Sequence, residues 1–195
     1  MLHMIRRFED LDGARLMEVY AEGNSENAES FYPDLSDRAE GIRRVELDFL
    51  DFLKERFYAR PDPIYWILEE DGLWVSALRT NQPEPGLYYL EALETRPDCR
   101  KQGCAYRLLS RVLDVLKESG PFRLCDCVDK DNAASLRTHA KCGFRITAEE
   151  GFSHLSGDTN PRSYSLEYSC QADSQMRWKA EYGSLIAGKA IFDCD

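Results

Sequence analysis

Residues 86–117 read Gly-Leu-Tyr-Tyr-Leu-Glu-Ala-Leu-Glu-Thr-Arg-Pro-Asp-Cys-Arg-Lys-Gln-Gly-Cys-Ala-Tyr-Arg-Leu-Leu-Ser-Arg-Val-Leu-Asp-Val-Leu-Lys. The first third is rich in aliphatic and aromatic residues and is closed by Pro97-Asp98, which predicts a strand over residues 87–95. The last third places Ala105, Leu108, Leu109, Val112, Leu113 and Leu116 at helical spacing, and Gly120-Pro121 follows as a stop. Between them, Arg100-Lys101-Gln102-Gly103-Cys104-Ala105 forms a basic, glycine-bearing turn that opens into the helix.

Such a turn has the physics of an anion site. The first amides of a helix lack carbonyl partners, and the helix dipole puts positive charge at the same end. Glycine lets a ligand approach the backbone because it has no Cβ. Arg100 and Lys101 add cations, so a phosphate or pyrophosphate is the expected ligand. The plain alternative is a strand-to-helix connection with solvated basic residues. The pattern is neither a Walker loop, since no Gly-Lys-Ser/Thr follows, nor a dinucleotide Gly-x-Gly-x-x-Gly.

The 195 residues suit one domain with a sizeable core, and two would be cramped. A net charge of −10 argues against a nucleic-acid groove and is compatible with a cationic substrate such as an amine. No apolar run approaches membrane-spanning length, and the N-terminus lacks a signal-peptide pattern, so the expected location is cytoplasmic. Seven cysteines without a repeated spacing read as reduced thiols, and no second Cys or His pair completes a zinc site around Cys125-x-Cys127. No metal is expected. Cys104 stands apart, because a helix start lowers a thiol pKa, although packing or a backbone contact is the preferred reading for it.

Along the chain, residues 4–8 read as an edge strand, and Asp10 or Asp12 can cap a helix carrying Leu16, Val19 and Tyr20. Residues 23–37 read as a polar connection. A second helix is predicted from about 40 to 57, its solvated face holding Glu46, Asp48, Asp51 and Glu55, which could also form an acidic lip for an amine. Strands at 64–69 and 73–80 flank an Asp71-Gly72 hairpin turn. Residues 122–128 form another strand, Asp131 caps a helix ending at Gly143, and strands at 144–148 and 163–169 close the order. Such alternation makes one mixed sheet with helices on its faces.

Two segments carry a family likeness. Pro-Asp-Cys-Arg followed by Arg100-x-x-Gly103-x-Ala105 at a helix start resembles the coenzyme A loop of the GNAT superfamily of acetyl-CoA-dependent N-acetyltransferases. Residues 132–144, Asn-Ala-Ala-Ser-Leu-Arg-Thr-His-Ala-Lys-Cys-Gly-Phe, resemble the later family motif Asn-x-x-Ala/Ser-x-x-x-Tyr-x-x-x-Gly-Phe. His139 stands where that motif has tyrosine. The resemblance covers about residues 4–169 and implies an α/β (α+β) fold: a single mixed, mostly antiparallel sheet with helices on both faces.

It also implies a division of labour. Leu93, Glu94 and Thr95 would offer backbone groups to the pantetheine arm of acetyl-CoA. Arg100, Lys101, Gln102, Gly103, Cys104 and Ala105 would wrap the pyrophosphate, and Asn132 would hydrogen-bond the arm from the next helix. The acetyl group would pass directly to a primary amine of a small molecule, amino acid or peptide through a tetrahedral intermediate. His139 would serve as acid for the leaving thiolate, or else pack as a helix residue beside Leu136 and Ala140.

Strand alternation puts Glu91 in the middle of an apolar strand, where a carboxylate is costly unless it is paired or lines a cleft. It is the preferred base, with Glu94 in reserve; the alternative for Glu91 is a structural ion pair with an arginine. A non-catalytic acyl-CoA-binding or protein-interaction module is the competing reading of the chain. Residues 170–195 are expected to pack on the domain or on an oligomer partner such as a second copy.

Overall fold

In the computed structural model the described residues are 1–171, so the expected role of residues 172–195 lies outside them. The strands are β1 (Leu2–Ile5), β2 (Ile64–Glu70), β3 (Leu73–Glu84), β4 (Leu87–Thr95), β5 (Phe122–Asp129), β6 (Arg145–Ala148), β7 (Gly151–Phe152), β8 (Thr159–Asn160) and β9 (Ser163–Cys170). The helices are α1 (Gly13–Val19), α2 (Ala21–Phe31), α3 (Arg38–Phe52), α4 (Cys104–Glu118) and α5 (Ala133–Lys141). Seven strands pair in the order β1-β2-β3-β4-β5-β9-β6, and β7 pairs with β8 apart from them. Every pairing is antiparallel except β4 with β5.

Both faces of the sheet are covered, and β2 shows why. Its residues are buried in alternation: Ile64, Trp66 and Leu68 pack with Leu108, Leu109, Val112 and Leu116 of α4, while Tyr65 and Ile67 pack with Leu16 and Val19 of α1 and with Leu53 and Phe57. Side chains at i, i+3 and i+4 give α4 its buried stripe. The Asp71-Gly72 turn holds both residues in the left-handed region, at φ 49° and 78°, which is the geometry that closes a two-residue hairpin.

Two features of β4 shape the site. It is parallel to β5 only from Leu87↔Arg123 to Tyr89↔Cys125, and the two strands part beyond that point. Against β3 it carries a bulge: Ala77 pairs with Glu94 and Arg79 with Glu91, so that Ala92 and Leu93 together oppose Leu78. Ala92 takes φ 54°, an unusual conformation for a residue with a Cβ. The hydroxyl of Tyr20 donates to the Ala92 carbonyl at 2.8 Å and itself accepts from Tyr65 at 2.8 Å, which pins the bulge from below.

Several sequence expectations change. Residues 23–37 are not simply a connection, because residues 21–31 form α2. Ala28 lies in the shadow of Gly41 on α3, where an added Cβ would sit 3.5 Å from the Ala28 Cβ, so close helix packing holds this weakly helical sequence. The helix predicted to reach residue 57 ends its α-geometry at Phe52 and continues to Phe57 as a wider turn with Tyr58 N–H bonded to the Leu53 carbonyl. The hairpin strand runs to Glu84 rather than Thr80. Asn132, not Asp131, caps α5, its side chain accepting from the Ser135 amide at 3.0 Å. Asp12 is the residue that caps α1.

Candidate active site

Where β4 has parted from β5, a groove of about 720 Å³ lies between the end of β4, the start of α4, and helices α5 and α2. One end is formed by the turn before α4. Lys101 (φ 60°) and Gly103 (φ 77°) are both left-handed, and an added Cβ on Gly103 would meet only Arg107 Nη1 at 3.5 Å, so backbone conformation rather than crowding favours glycine there. Among the described residues, no amide from Lys101 to Tyr106 donates to a backbone carbonyl outside the helix, leaving a row of donors at the helix start. Arg107 braces the turn: Nη1 donates to the Gln102 carbonyl at 2.6 Å, and Nε and Nη2 clasp Glu70 at 2.9 and 2.7 Å.

Nine of the ten residues expected to hold the cofactor line this groove: Leu93, Glu94, Thr95, Arg100, Lys101, Gly103, Cys104, Ala105 and Asn132. Gln102 does not, since its side chain donates back to the Asp98 carbonyl at 3.1 Å. Asn132 spends Oδ1 on the α5 cap, which leaves its amide nitrogen for a ligand. Arg100 is also engaged: it pairs with Glu22 of α2 and, at 3.1 Å, with Glu94.

Sequence reasoning missed the other walls. Arg137 and Lys141, four apart on α5, add cations opposite the turn, and Ser135 and Thr138 add hydroxyls. Their helical spacing was readable, but nothing local tells which face of α5 meets the groove. Glu22 and Glu26 form the acidic wall, and the α3 face weighed as an alternative acidic lip does not line the groove. Glu26 was hidden because residues 23–37 read as a connection, and Glu22 lies just past the helix predicted to carry Leu16, Val19 and Tyr20.

The proposed acid–base residues are not gathered in one place. Oε2 of Glu91 accepts from Arg60 at 2.9 Å and from Arg79 at 3.3 Å, so the ion-pair alternative is what the structure contains. Arg79 is itself nearly enclosed, its guanidinium lying over Phe49, Phe52 and Phe57. Glu94 does face the groove, and burial raises its pKa, with the nearby Glu26 charge adding to the effect.

His139 is not brought to the groove surface. Its side chain is fully enclosed, with Nε2 2.9 Å from Oδ2 of Asp126 on β5 and the ring edge-on to Phe144. Burial works to lower its pKa, but the adjacent Asp126 carboxylate wins and raises it. Burial likewise raises the Asp126 pKa, against the opposing pull of His139.

Cys104 follows the preferred reading, packing and a backbone contact, and not the low-pKa alternative. Its thiol is buried and donates to the Cys99 carbonyl at 3.4 Å, and burial pushes its pKa up despite the helix start and Arg107. The six described cysteines are all free. Among the described residues no cluster of three His, Cys, Asp or Glu could hold a metal ion, and no helix is long and apolar enough to cross a membrane.

A sheet that splays beside a basic turn at a helix start is the architecture of an acyl-CoA-dependent transferase. The acetyltransferase (GNAT) family model matches residues 25–144, and the chain belongs to this family. Acetyl-CoA-dependent acyl transfer is accordingly its activity at the family level. Solved structures share the fold. The PaiA N-acetyltransferase of Thermoplasma acidophilum, in complex with coenzyme A, aligns over 87% of this chain and 99% of its own at a TM-score of 0.56 and 16% identity. An IAA acetyltransferase from Bacillus cereus aligns over 87% and 99% at 0.54 and 14% identity, and an N-acetyltransferase from Staphylococcus aureus over 88% and 97% at 0.51 and 17%. No curated protein matches the chain in sequence.

Proposed function

We propose that this protein transfers the acetyl group of acetyl-CoA to the primary amine of a small molecule, amino acid or peptide. The observation that carries the reading is the groove itself: β4 and β5 part after Tyr89 and Cys125, and the groove beyond that point leads to the unpaired amides and cations of the turn before α4. Because β4 has no β5 partner beyond Tyr89, the open edge of Leu93 to Thr95 could meet the amides of a pantetheine arm as a sheet edge meets a strand. The turn amides with Arg100 and Lys101 would hold the pyrophosphate, and Asn132 Nδ2 the arm.

The acidic wall gives the acceptor its character. In the structure Arg100 neutralises Glu22 and Glu94. A pyrophosphate competing for Arg100 would release both carboxylates toward an incoming ammonium, so cofactor binding prepares the amine site. Of the two candidate bases, Glu94 is the better placed to take the amine proton: it lines the groove, and its raised pKa makes it the stronger proton acceptor. Glu91, clasped by two guanidiniums, would fix the strand where it splays. His139 with Asp126 would hold the proton destined for the thiolate. Six free thiols among the described residues fit work in a reducing, cytoplasmic setting.

The test is amine-dependent release of free thiol from acetyl-CoA across small amines, amino acids and lysine peptides. Turnover by the purified protein that falls at least tenfold in Glu94→Gln, with coenzyme A affinity retained, is the expected result. Tight coenzyme A binding without thiol release for any amine would instead favour the non-catalytic acyl-CoA-binding module.

A further inference from the structure

His139 is sealed from the groove, yet one neighbour connects it to that space. Its Nδ1 lies 2.9 Å from the Ser135 backbone oxygen and 3.2 Å from the Ser135 hydroxyl, and Ser135 lines the groove. Asp126 Oδ2 lies 2.9 Å from the other ring nitrogen, close enough for an ion pair although the two are not aligned as a hydrogen bond. Asp126, His139 and Ser135 therefore form one chain of polar atoms running from the sheet interior to the groove wall. We propose, resting on the acetyl-transfer reading above, that this chain is a proton relay whose Ser135 hydroxyl protonates the departing coenzyme A thiolate.

The proton positions follow from the distances. Nδ1 faces a carbonyl oxygen, which can only accept, so Nδ1 carries hydrogen. Nε2 stands 2.9 Å from a carboxylate oxygen, whose negative charge favours hydrogen on Nε2 as well. The pair thus stores one proton more than a neutral imidazole beside a carboxylate. The arrangement also fixes the direction of the Ser135 bond. Since Nδ1 has no free lone pair, it cannot take the hydroxyl proton, and Ser135 is not an activated nucleophile. Nδ1–H instead shares its hydrogen between the two Ser135 oxygens, leaving the hydroxyl hydrogen to point elsewhere.

When the tetrahedral intermediate collapses, the C–S bond breaks and its electron pair goes to sulfur. The Ser135 hydroxyl proton moves to sulfur, and the Nδ1 proton moves to the Ser135 oxygen. His139 is left as a neutral imidazole with its proton on Nε2, beside ionised Asp126. That state sets the bare Nδ1 against the Ser135 carbonyl, so the relay draws back a proton, supplied through solvent by the one the amine gave up. The histidine at the family's tyrosine position would then act at one remove, through a residue one helical turn earlier.

The experiment uses the full chain, acetyl-CoA as donor, the fastest amine of the panel as acceptor, and coenzyme A itself as the binding probe. Ser135→Ala should lower kcat about a hundredfold while the Kd for coenzyme A stays within threefold, and Ser135→Thr, which keeps the hydroxyl, should retain most of the activity. His139→Phe should lose kcat comparably, and S135A/H139F should lose no more than the worse single variant, since one residue acts through the other. Full activity in Ser135→Ala, or losses that multiply in the double variant, would overturn the relay. Should His139→Phe fail to fold, the Ser135→Ala and Ser135→Thr pair decides alone: equal activities sink the proposal. A wild-type protein that binds coenzyme A but turns over no amine would fail at the earlier reading, whereas turnover untouched by Ser135→Ala defeats the relay only.

Discussion

Asp126 and His139 form a buried charge pair 2.9 Å apart, and this makes them sensitive to pH in a defined direction. Both groups have raised pKa values in the folded protein, His139 because Asp126 outweighs its burial and Asp126 because it is buried. A raised pKa contributes stability that is complete below the unfolded value and lost as pH climbs through the folded one. The window for His139 therefore starts at its ordinary value of about 6.5 and extends upward. We expect the melting temperature to fall from pH 6 to pH 8. In Asp126→Asn the fall should be shallower, and stability at pH 6 should drop by about 3 kcal/mol because a buried partner is lost. Parallel melting curves for the two proteins would contradict this. None of it was legible in the sequence: His139 sits between Leu136 and Ala140 on a capped helix, and the partner that decides its state lies on another strand.

Among the elements, β4 contributes most. Its strand character and its end at Pro97 were readable from alternation and breaker residues, and so was the helix start after Gly103. The bulge was not, because Ala92 gives no glycine signal for its positive φ. What holds it is tertiary, the hydroxyl of Tyr20 on the Ala92 carbonyl. Tyr20→Phe would leave that carbonyl and the Tyr65 hydroxyl short of a partner. A loss of about 1–2 kcal/mol in denaturant unfolding is expected, together with weaker acetyl-CoA binding. Loss of stability with unchanged affinity would separate the bulge from the site. α2 went unread for a related reason: its Gly, Asn and Ser residues have low helix propensity, and only the small contact of Ala28 with Gly41 lets it pack tightly.

On the scale of the whole molecule, the element order and the two-sided core followed from hydrophobic pattern, because each strand and helix had to bury one face. The groove is a product of topology, and only its basic end announced itself in sequence. A protein of net charge −10 needs a local concentration of cations to bind an anionic cofactor, and on the proposed reading Arg100, Lys101, Arg137 and Lys141 would supply it against unpaired amides. The most direct test is therefore the melting temperature with and without acetyl-CoA, for the native protein and for R100E/K101E. At a hundredfold excess over Kd, a ligand that binds only the folded state adds about 2.7 kcal/mol, or roughly 5–10 °C for a domain of this size. The account predicts that rise with acetyl-CoA, little with ATP or NAD, and its loss in the charge-reversed protein. No rise in the native protein, or an equal rise in the variant, would contradict it.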